Sequence, residues 1–489
     1  MMNRLLTFLC LWLMGQQVSA QSYEFNEHCL KAYQQIFELR FAEAERTLAA
    51  EQSQNPQNLV PTFLENYIDF LALFISEEDA MFQEREGNKD KRLDILKSGD
   101  KDSPYYLYTQ AEIYMQWAFT RVKFGEYIKA FLEIKKAYKL LNENAEKFPD
   151  FKPNLKSLGV LHTLLGAIPD KYKFGAKVFG MKGSIPQGMG ELAQAIKDEN
   201  FIFKDEALIM YAMLQLHLNK NEKEAWKIIN TNALQPDKNL THCFAASSIA
   251  MYTGKNDQAI KLLENRPKGP QYFPFPYLDF YLGSAKLNRL DNDADIYLKK
   301  YVTQYKGKNF IKEAHRKLSW FYLLKGNSSS YNYHVQMTVL EGEAVTDEDK
   351  SALAEVKSGI KPNKQLLEAR LLFDGAYYSK ALKIIEGMDE AKLTNEMEKV
   401  EYSYRKARIL HEMNELELAK QAYLRTIERG GSLDAYFAPN SCIKLGNIYE
   451  KEKNMSKAEE YYKKAFTYGD HEYKNSIDAE AKAGLNRLK

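Results

Sequence analysis

Residues 166–190, GAIPDKYKFGAKVFGMKGSIPQGMG, gather glycine, proline and lysine in a chain otherwise patterned as helix. Glycine beside lysine is the composition of a loop that cradles phosphate with its backbone N–H groups. That chemistry needs G-x-x-x-x-G-K-[ST] between a strand and a helix. Here Lys182 precedes Gly183-Ser184, and no Val/Ile-rich strand leads in. Gly188-Met-Gly190 lacks the third glycine of a dinucleotide fingerprint. Nucleotide binding is therefore not expected. Lys171, Lys173, Lys177 and Lys182, set among Tyr172, Phe174, Val178, Phe179 and Met181, suit a second chemistry, contact with a membrane interface. The same apolar face would serve to pack on neighbouring helices, which is the favoured reading.

Other reactive residue types are scattered. His28, His162, His217, His242, His315, His334, His411 and His471 never fall within four residues of one another, so no local metal pair exists. There is no G-x-S-x-G elbow and no C-x-x-C. Acids alternate with lysines, as in Glu450-Lys451-Glu452-Lys453, which reads as a solvated helix face. No catalytic residue, metal ligand or cofactor is assigned, and an enzyme is not expected. With 68 basic residues against 66 acidic ones, nucleic acid is not expected as a partner. Asn239-Leu-Thr241, Asn327-Ser-Ser329 and Asn454-Met-Ser456 match a glycosylation sequon, a pattern common by chance.

The first twenty residues have the order of a secretory leader: Arg4, the apolar run LLTFLCLWLM, then Val18-Ser19-Ala20. Cleavage is expected between Ala20 and Gln21. About ten apolar residues are too few to cross a bilayer. The chain is thus expected to be exported, to the periplasm or cell envelope of a bacterium. Cys29, Cys243 and Cys442 would remain, far apart in helical surroundings, and read as small buried hydrophobes.

These residues must be positioned by a repeat. Cys442, Leu445-Gly446, Tyr449, Ala458, Tyr462 and Ala465 follow the spacing of the tetratricopeptide repeat. Small residues at Gly446 and Ala458 would let two helices approach, the tyrosines would fill the space to neighbouring repeats, Lys453-Asn454 would turn the chain, and Ser456 would cap the second helix. Weaker copies place Ala407, Leu410, Ala419 and Tyr423 at the same offsets, then Ala369, Leu372, Ala381 and Ile385 around a Gly375 turn. Ala225 and Ala259 lie 34 residues apart. Looser copies follow at Leu282-Gly283 with Ala294, and at Leu318 with Tyr322. Further marks stand at Ala32, Ala44 and Leu48, and at Trp117, Ala130 and Ala137. Repeats this small cannot bury their faces alone, so they must stack. The fold class expected is all-α, a right-handed superhelix of helix-turn-helix repeats. Tyr272–Tyr277, an aromatic and proline cluster, should pack at the start of a helix.

Leu158-Gly-Val-Leu, Leu164-Leu-Gly-Ala-Ile-Pro169, Phe179-Gly180-Met-Lys-Gly183 and Gly188-Met-Gly190-Glu-Leu192 resemble a segment of the tetratricopeptide-repeat-39 family, which includes the yeast mitochondrial-outer-membrane and inclusion-clearance proteins. The resemblance spans roughly Tyr105 to Leu192 and implies a helical scaffold without catalytic residues. The leader departs from that family's pattern, so its intracellular roles do not carry over.

The expected organisation is a leader (1–20), N-terminal repeats (21–150), a Gly/Pro-containing helical insert (151–200), central repeats (201–345), a charged joint (346–364) and C-terminal repeats with a capping helix (365–489). First helices of such repeats line a groove. By register Tyr404, Arg408 and His411, then Ile443, Asn447 and Glu450, should face it. Tyr404 and Arg408 stand where a clamp for acidic chaperone tails has Lys and Asn, so that ligand is not expected. The function expected is a scaffold for an unidentified protein or peptide, with a membrane surface, met through Lys171–Lys182, as the alternative.

Overall fold

The computed structural model describes residues 21–488 except 169–179, 232–233 and 472. The leader-like residues, and Lys171, Lys173 and Lys177, lie outside the described residues. Within them the chain is helical throughout, with one isolated bridge between Ser22 and Asn58. The expectation of an all-α helical-repeat fold is met.

Two compact units are present. The first extends to Thr253 and takes in Leu262–Phe275; the second holds Gly254–Lys261 and everything from Pro276. The first unit begins with α1 (Glu27–Phe37), α2 (Phe41–Gln54), α3 (Val60–Ser76), α4 (Asp79–Arg85) and α5 (Asn88–Leu96). A long hairpin follows, α6 (Pro104–Lys123) and α7 (Tyr127–Lys147), then α8 (Pro153–Ala167), α9 (Ile185–Ala195), α10 (Lys204–His217), α11 (Glu222–Ile229) and α12 (Leu240–Tyr252). Helix α13 (Asn256–Glu264) is divided between the units. The second unit continues with α14 (Tyr277–Asn288), α15 (Ala294–Gln304), α16 (Ile311–Leu324), α17 (Ser328–Leu340), α18 (Asp347–Lys357), α19 (Lys364–Asp374) and α20 (Tyr378–Glu386). It closes with α21 (Glu396–Glu412), α22 (Leu416–Gly430), α23 (Phe437–Lys451), α24 (Met455–Ala465) and α25 (Lys474–Arg487).

One turn closes hairpin after hairpin. Leu39, Gly125, Leu290, Gly326, Ala376, Asn414 and Lys453 all have φ near +60 to +76°, each between two helices of a pair. The next amide reaches back to a carbonyl of the preceding last turn: Glu126 N to Arg121 O at 2.9 Å, Asn327 N to Tyr322 O at 3.0 Å, Asn454 N to Tyr449 O at 2.8 Å. This satisfies helix-end carbonyls that would otherwise be orphaned. The turn expected at Gly375 is there: Gly375 caps α19, Ala376 takes the left-handed position, and Gly375 stays bare because a Cβ would meet the Tyr377 ring at 2.7 Å. One expectation is corrected. The cap of α24 is Asn454, whose side chain accepts from Lys457 N, because the helix starts at Met455 and leaves Ser456 inside it. The other sequon asparagines, Asn239 and Asn327, are N-caps as well.

Of the described glycines of the opening stretch, Gly166, Gly183 and Gly188 stand at tight contacts, whereas a Cβ on Gly180 or Gly190 would meet nothing within 4 Å. A Cβ on Gly159 would lie 2.9 Å from Gly188 O, and one on Gly188 would lie 2.2 Å from Gly159 O. No side chain fits between α8 and α9 at that point. Phe273 and Phe275 of the aromatic cluster pack within the first unit, against Phe41 at 5.0 Å and Phe244 at 5.3 Å. The charged segment read as a joint forms α18, whose buried Asp349 accepts from the amides of Phe310 and Glu313 at the start of α16. The three cysteines are free and buried, and burial pushes the Cys442 thiol up to about 11.

Candidate functional site

In the last repeats, α23 and α24 pair as the spacing requires. Cys442, Leu445, Ala458, Tyr462 and Ala465 share one buried cluster with Tyr423 and Ala419 of the preceding hairpin. Helix α25 covers the end of the stack with Ile477 and Ala481. The Tyr462 ring is held between two glycines: a Cβ on Gly446 would stand 2.5 Å from its Cε1, and one on Gly484 2.5 Å from its Cζ. Its hydroxyl lies 2.7 Å from Asn447 Oδ1 and 2.5 Å from Glu450 Oε2. Arg487 donates to both Glu450 oxygens, at 2.8 and 2.7 Å, and to the Tyr462 hydroxyl at 3.2 Å.

This ring of contacts forms the floor of an open recess of about 610 Å³, lined by His411, Glu412, Asn414, Leu416, Lys444, Asn447, Ile448, Glu450, Lys451 and Arg487. Arg487 neutralises Glu450 and holds its carboxyl below the ordinary value. Lys444 meets a carboxylate only at 3.7 Å, on Glu480. Burial holds the His411 imidazole down at about 4, helped by the positive charges of Lys451, Lys444 and Arg408. The ring is therefore neutral at pH 7, with Nδ1 at 3.2 Å from the Tyr423 hydroxyl. The recess sets Lys444 and Lys451 beside Glu412 and the Arg487-paired Glu450, and the two lysines are the groups that could receive a carboxylate.

The six residues assigned to the groove divide. His411, Asn447 and Glu450 line this recess together. Tyr404 and Ile443 do not face open space; they are 1% and 0% exposed. Tyr404 packs at 5.1 Å from Phe437 and accepts from Arg408, whose guanidinium lies 4.7 Å over Phe373. A helix turns 100° per residue, so a row of groove positions lies one step from the row that packs on the next helix. Register alone did not separate them. Lys444, Lys451 and Arg487 were missed; the run of Lys at 444 and 451, one face two turns apart, was the available signal.

A second polar cluster lies buried in the first unit. Lys156 on α8, 0% exposed, donates to Glu112 on α6 at 2.9 Å and to Glu206 on α10 at 3.1 Å. Tyr33 donates to Glu206 at 3.0 Å, Tyr67 stands 3.2 Å from both carboxylates, and Ser157 donates to Glu112. Phe203 and Tyr108 lie 4.9 and 6.0 Å from the ammonium. Burial alone would depress Lys156, but Glu112 and Glu206 outweigh it and hold it above its ordinary value. Sequence reading missed this cluster because it treated acids as surface charge. Glu112 and Lys156 each stand alone in an apolar stretch, which was the signal.

A third polar contact is a histidine pair. His315 Nδ1 lies 3.1 Å from His334 Nδ1, and His315 Nε2 lies 2.9 Å from Glu341. Among the described residues no three His, Cys, Asp or Glu are grouped to hold a metal. Burial, then His315 and Lys299, hold His334 at about 4, against Asp295. Burial also lowers His315, against Glu341. A folded pKa below the unfolded value of 6.5 means the neutral form stabilises the fold. That contribution is complete above pH 6.5 and is lost as pH falls toward 4. Hydrogen-exchange protection of α16 and α17 is expected to drop over that window, by about 3 kcal/mol from His334. In His334→Gln the drop should shrink; an unchanged profile would remove the pair as its cause.

A family model of the tetratricopeptide repeat matches residues 439–468, which span α23 and α24. No curated protein matches the chain. Among solved structures, the chain is similar to one described as the structure of Naa15/Naa10 bound to HypK-THB, at 15% identity and a TM-score of 0.22, covering 88% of this chain and 67% of that one. It is also similar to a circular tandem repeat protein with novel repeat topology and enhanced subunit contact surfaces. There the identity is 10% and the TM-score 0.17, over 94% of this chain and 97% of that one.

Proposed function

We propose that the chain is an exported, non-enzymatic scaffold of the bacterial cell envelope that holds a protein or peptide segment, with a carboxylate of that segment seated beside Lys444 and Lys451. The tetratricopeptide repeat at 439–468 supports protein binding as the broad role. The observation that carries the site is the recess, where Lys444 is weakly paired and Lys451 stands in the same lining. Export rests on the leader-like order of residues 1–20, and the narrower kinship rests on the glycine pattern over roughly Tyr105 to Leu192.

Both lysines lie at the rim, so reversing them leaves the packed core intact. Lys444→Glu with Lys451→Glu is expected to weaken binding of a fluorescent Glu-rich peptide by at least ~tenfold at low salt, through like-charge repulsion. Fluorescence anisotropy reads this directly, and crosslinking capture from the native envelope fraction extends it to the natural partner. Equal peptide affinity in parent and variant would remove the recess from this reading. Failure of the parent chain to capture any specific protein would remove the scaffold role itself.

A further inference from the structure

Helix α7 buries Ala130, Glu133, Ala137, Leu141 and Asn144 along one side. The opposite side must face outward, and a water-facing side is expected to be polar with charges of both signs. Here it is neither. Between 127 and 139 the exposed positions are apolar at Tyr127, Ile128 and Leu132, with Ile128 80% exposed. All the others are lysines: Lys129, Lys135, Lys136 and Lys139. The acid in that span, Glu133, is turned inward onto Arg121 and Lys89. Across the turn that ends α6, Val122 adds a further exposed side chain, 49% accessible.

A lone exposed hydrophobe carries no message, but Ile128 and Leu132 are four residues apart on one helix, and Val122 and Tyr127 stand on either side of the turn between α6 and α7. Apolar tips ringed by lysines, of which Lys129 is paired with the half-buried Glu126, match an anionic bilayer surface. The apolar side chains reach the acyl boundary while the lysine stems lie along it and their ammonium groups meet phosphate. A protein partner fits less well, because protein interfaces favour arginine and are depleted of lysine, and every exposed cation over this span is lysine. No helix among the described residues is long and apolar enough to cross a membrane, so the contact is peripheral.

We infer that the tip of the α6–α7 hairpin and the outer side of α7 from 127 to 139 dock the first unit on a membrane carrying anionic phospholipid headgroups. This inference is independent of the recess in the second unit.

The test is co-sedimentation of the purified protein with vesicles of phosphatidylcholine and phosphatidylglycerol in equal parts, beside vesicles of phosphatidylcholine alone. Binding is expected to the first kind and not the second, and to fall as salt rises. Lys135→Glu with Lys136→Glu should lower partitioning by more than about fivefold per lysine changed, the figure for simple charge removal. Ile128→Ser with Leu132→Ser should lower it at unchanged charge. All four positions are exposed, so thermal melts should match the parent, and every variant shares the same residues 1–20, so any leader contribution cancels. Absence of binding to the anionic vesicles overturns the inference. So does binding that survives both double variants, or a protein captured at this surface while vesicles are ignored.

Discussion

Lys156→Met is expected to cost about 3–5 kcal/mol, because it strands two carboxylates in the interior of the first unit. Glu112 and Glu206 are reached by a single ammonium that is 0% exposed, and both are otherwise bound only by hydroxyl groups. Methionine fills the volume of the lysine stem, so the effect reads charge and not a void. The sign with pH follows. In the variant Glu206, already raised by burial, loses the Lys156 charge that opposes the rise, and stability is lost as pH climbs above ~4.5. The gap between parent and variant should therefore be widest at neutral pH and close in acid. A repeat fold need not unfold in one step, so the measurement is hydrogen exchange of α3, α6, α8 and α10, not a global midpoint alone. Replacing all three groups, Lys156→Met with Glu112→Leu and Glu206→Leu, should recover much of the loss. Recovery is incomplete, since Tyr33 and Tyr67 then lose their acceptors. Full protection of those helices in Lys156→Met would show that the triad is not what orders them.

The repeat was legible in sequence because its marks are steric. Ala419, Ala458 and Gly446 are small for one reason, that a helix passes close by, and Tyr423 and Tyr462 are large because they fill what remains; all but Gly446 are in the same buried cluster, and Gly446 abuts it. Side-chain size can be read from a letter. The turns were less legible, because the left-handed position is occupied by Leu39, Leu290, Ala376 or Lys453 as readily as by glycine. There the backbone bonds of the Schellman turn hold the conformation, and the side chain does not announce it. The buried triad was not legible at all as a cluster: Glu112, Lys156 and Glu206 come from three helices, and only packing brings them within 3.1 Å. Two of the six groove assignments are buried for a related reason. Tyr404 and Ile443 sit one helical step from solvent, and the partner helix, not the periodicity, decides which row is covered.

Tyr462→Ala is the second large effect expected, about 3–5 kcal/mol on the C-terminal repeats. The ring fills the gap between Gly446 and Gly484, and neither glycine can extend into the void left behind. Helix α25 packs on α24 through this ring, so it should lose protection first, before α23. Tyr462→Phe separates packing from polarity. It keeps the ring in place and removes only the hydroxyl that stands between Asn447, Glu450 and Arg487. Its stability cost should be near 1 kcal/mol, that of a single hydrogen bond. Its effect on the recess should be larger than that figure suggests. Without the hydroxyl, Glu450 keeps only Arg487, and Asn447 keeps only its 3.4 Å contact to Glu480, on the wall that bears Lys444. If the recess receives a carboxylate, Tyr462→Phe should alter affinity for the Glu-rich peptide while the melt of the second unit stays close to the parent's. If affinity follows stability across both variants, the tyrosine only holds the repeats together, and the recess gains nothing from the hydroxyl that lies beneath it.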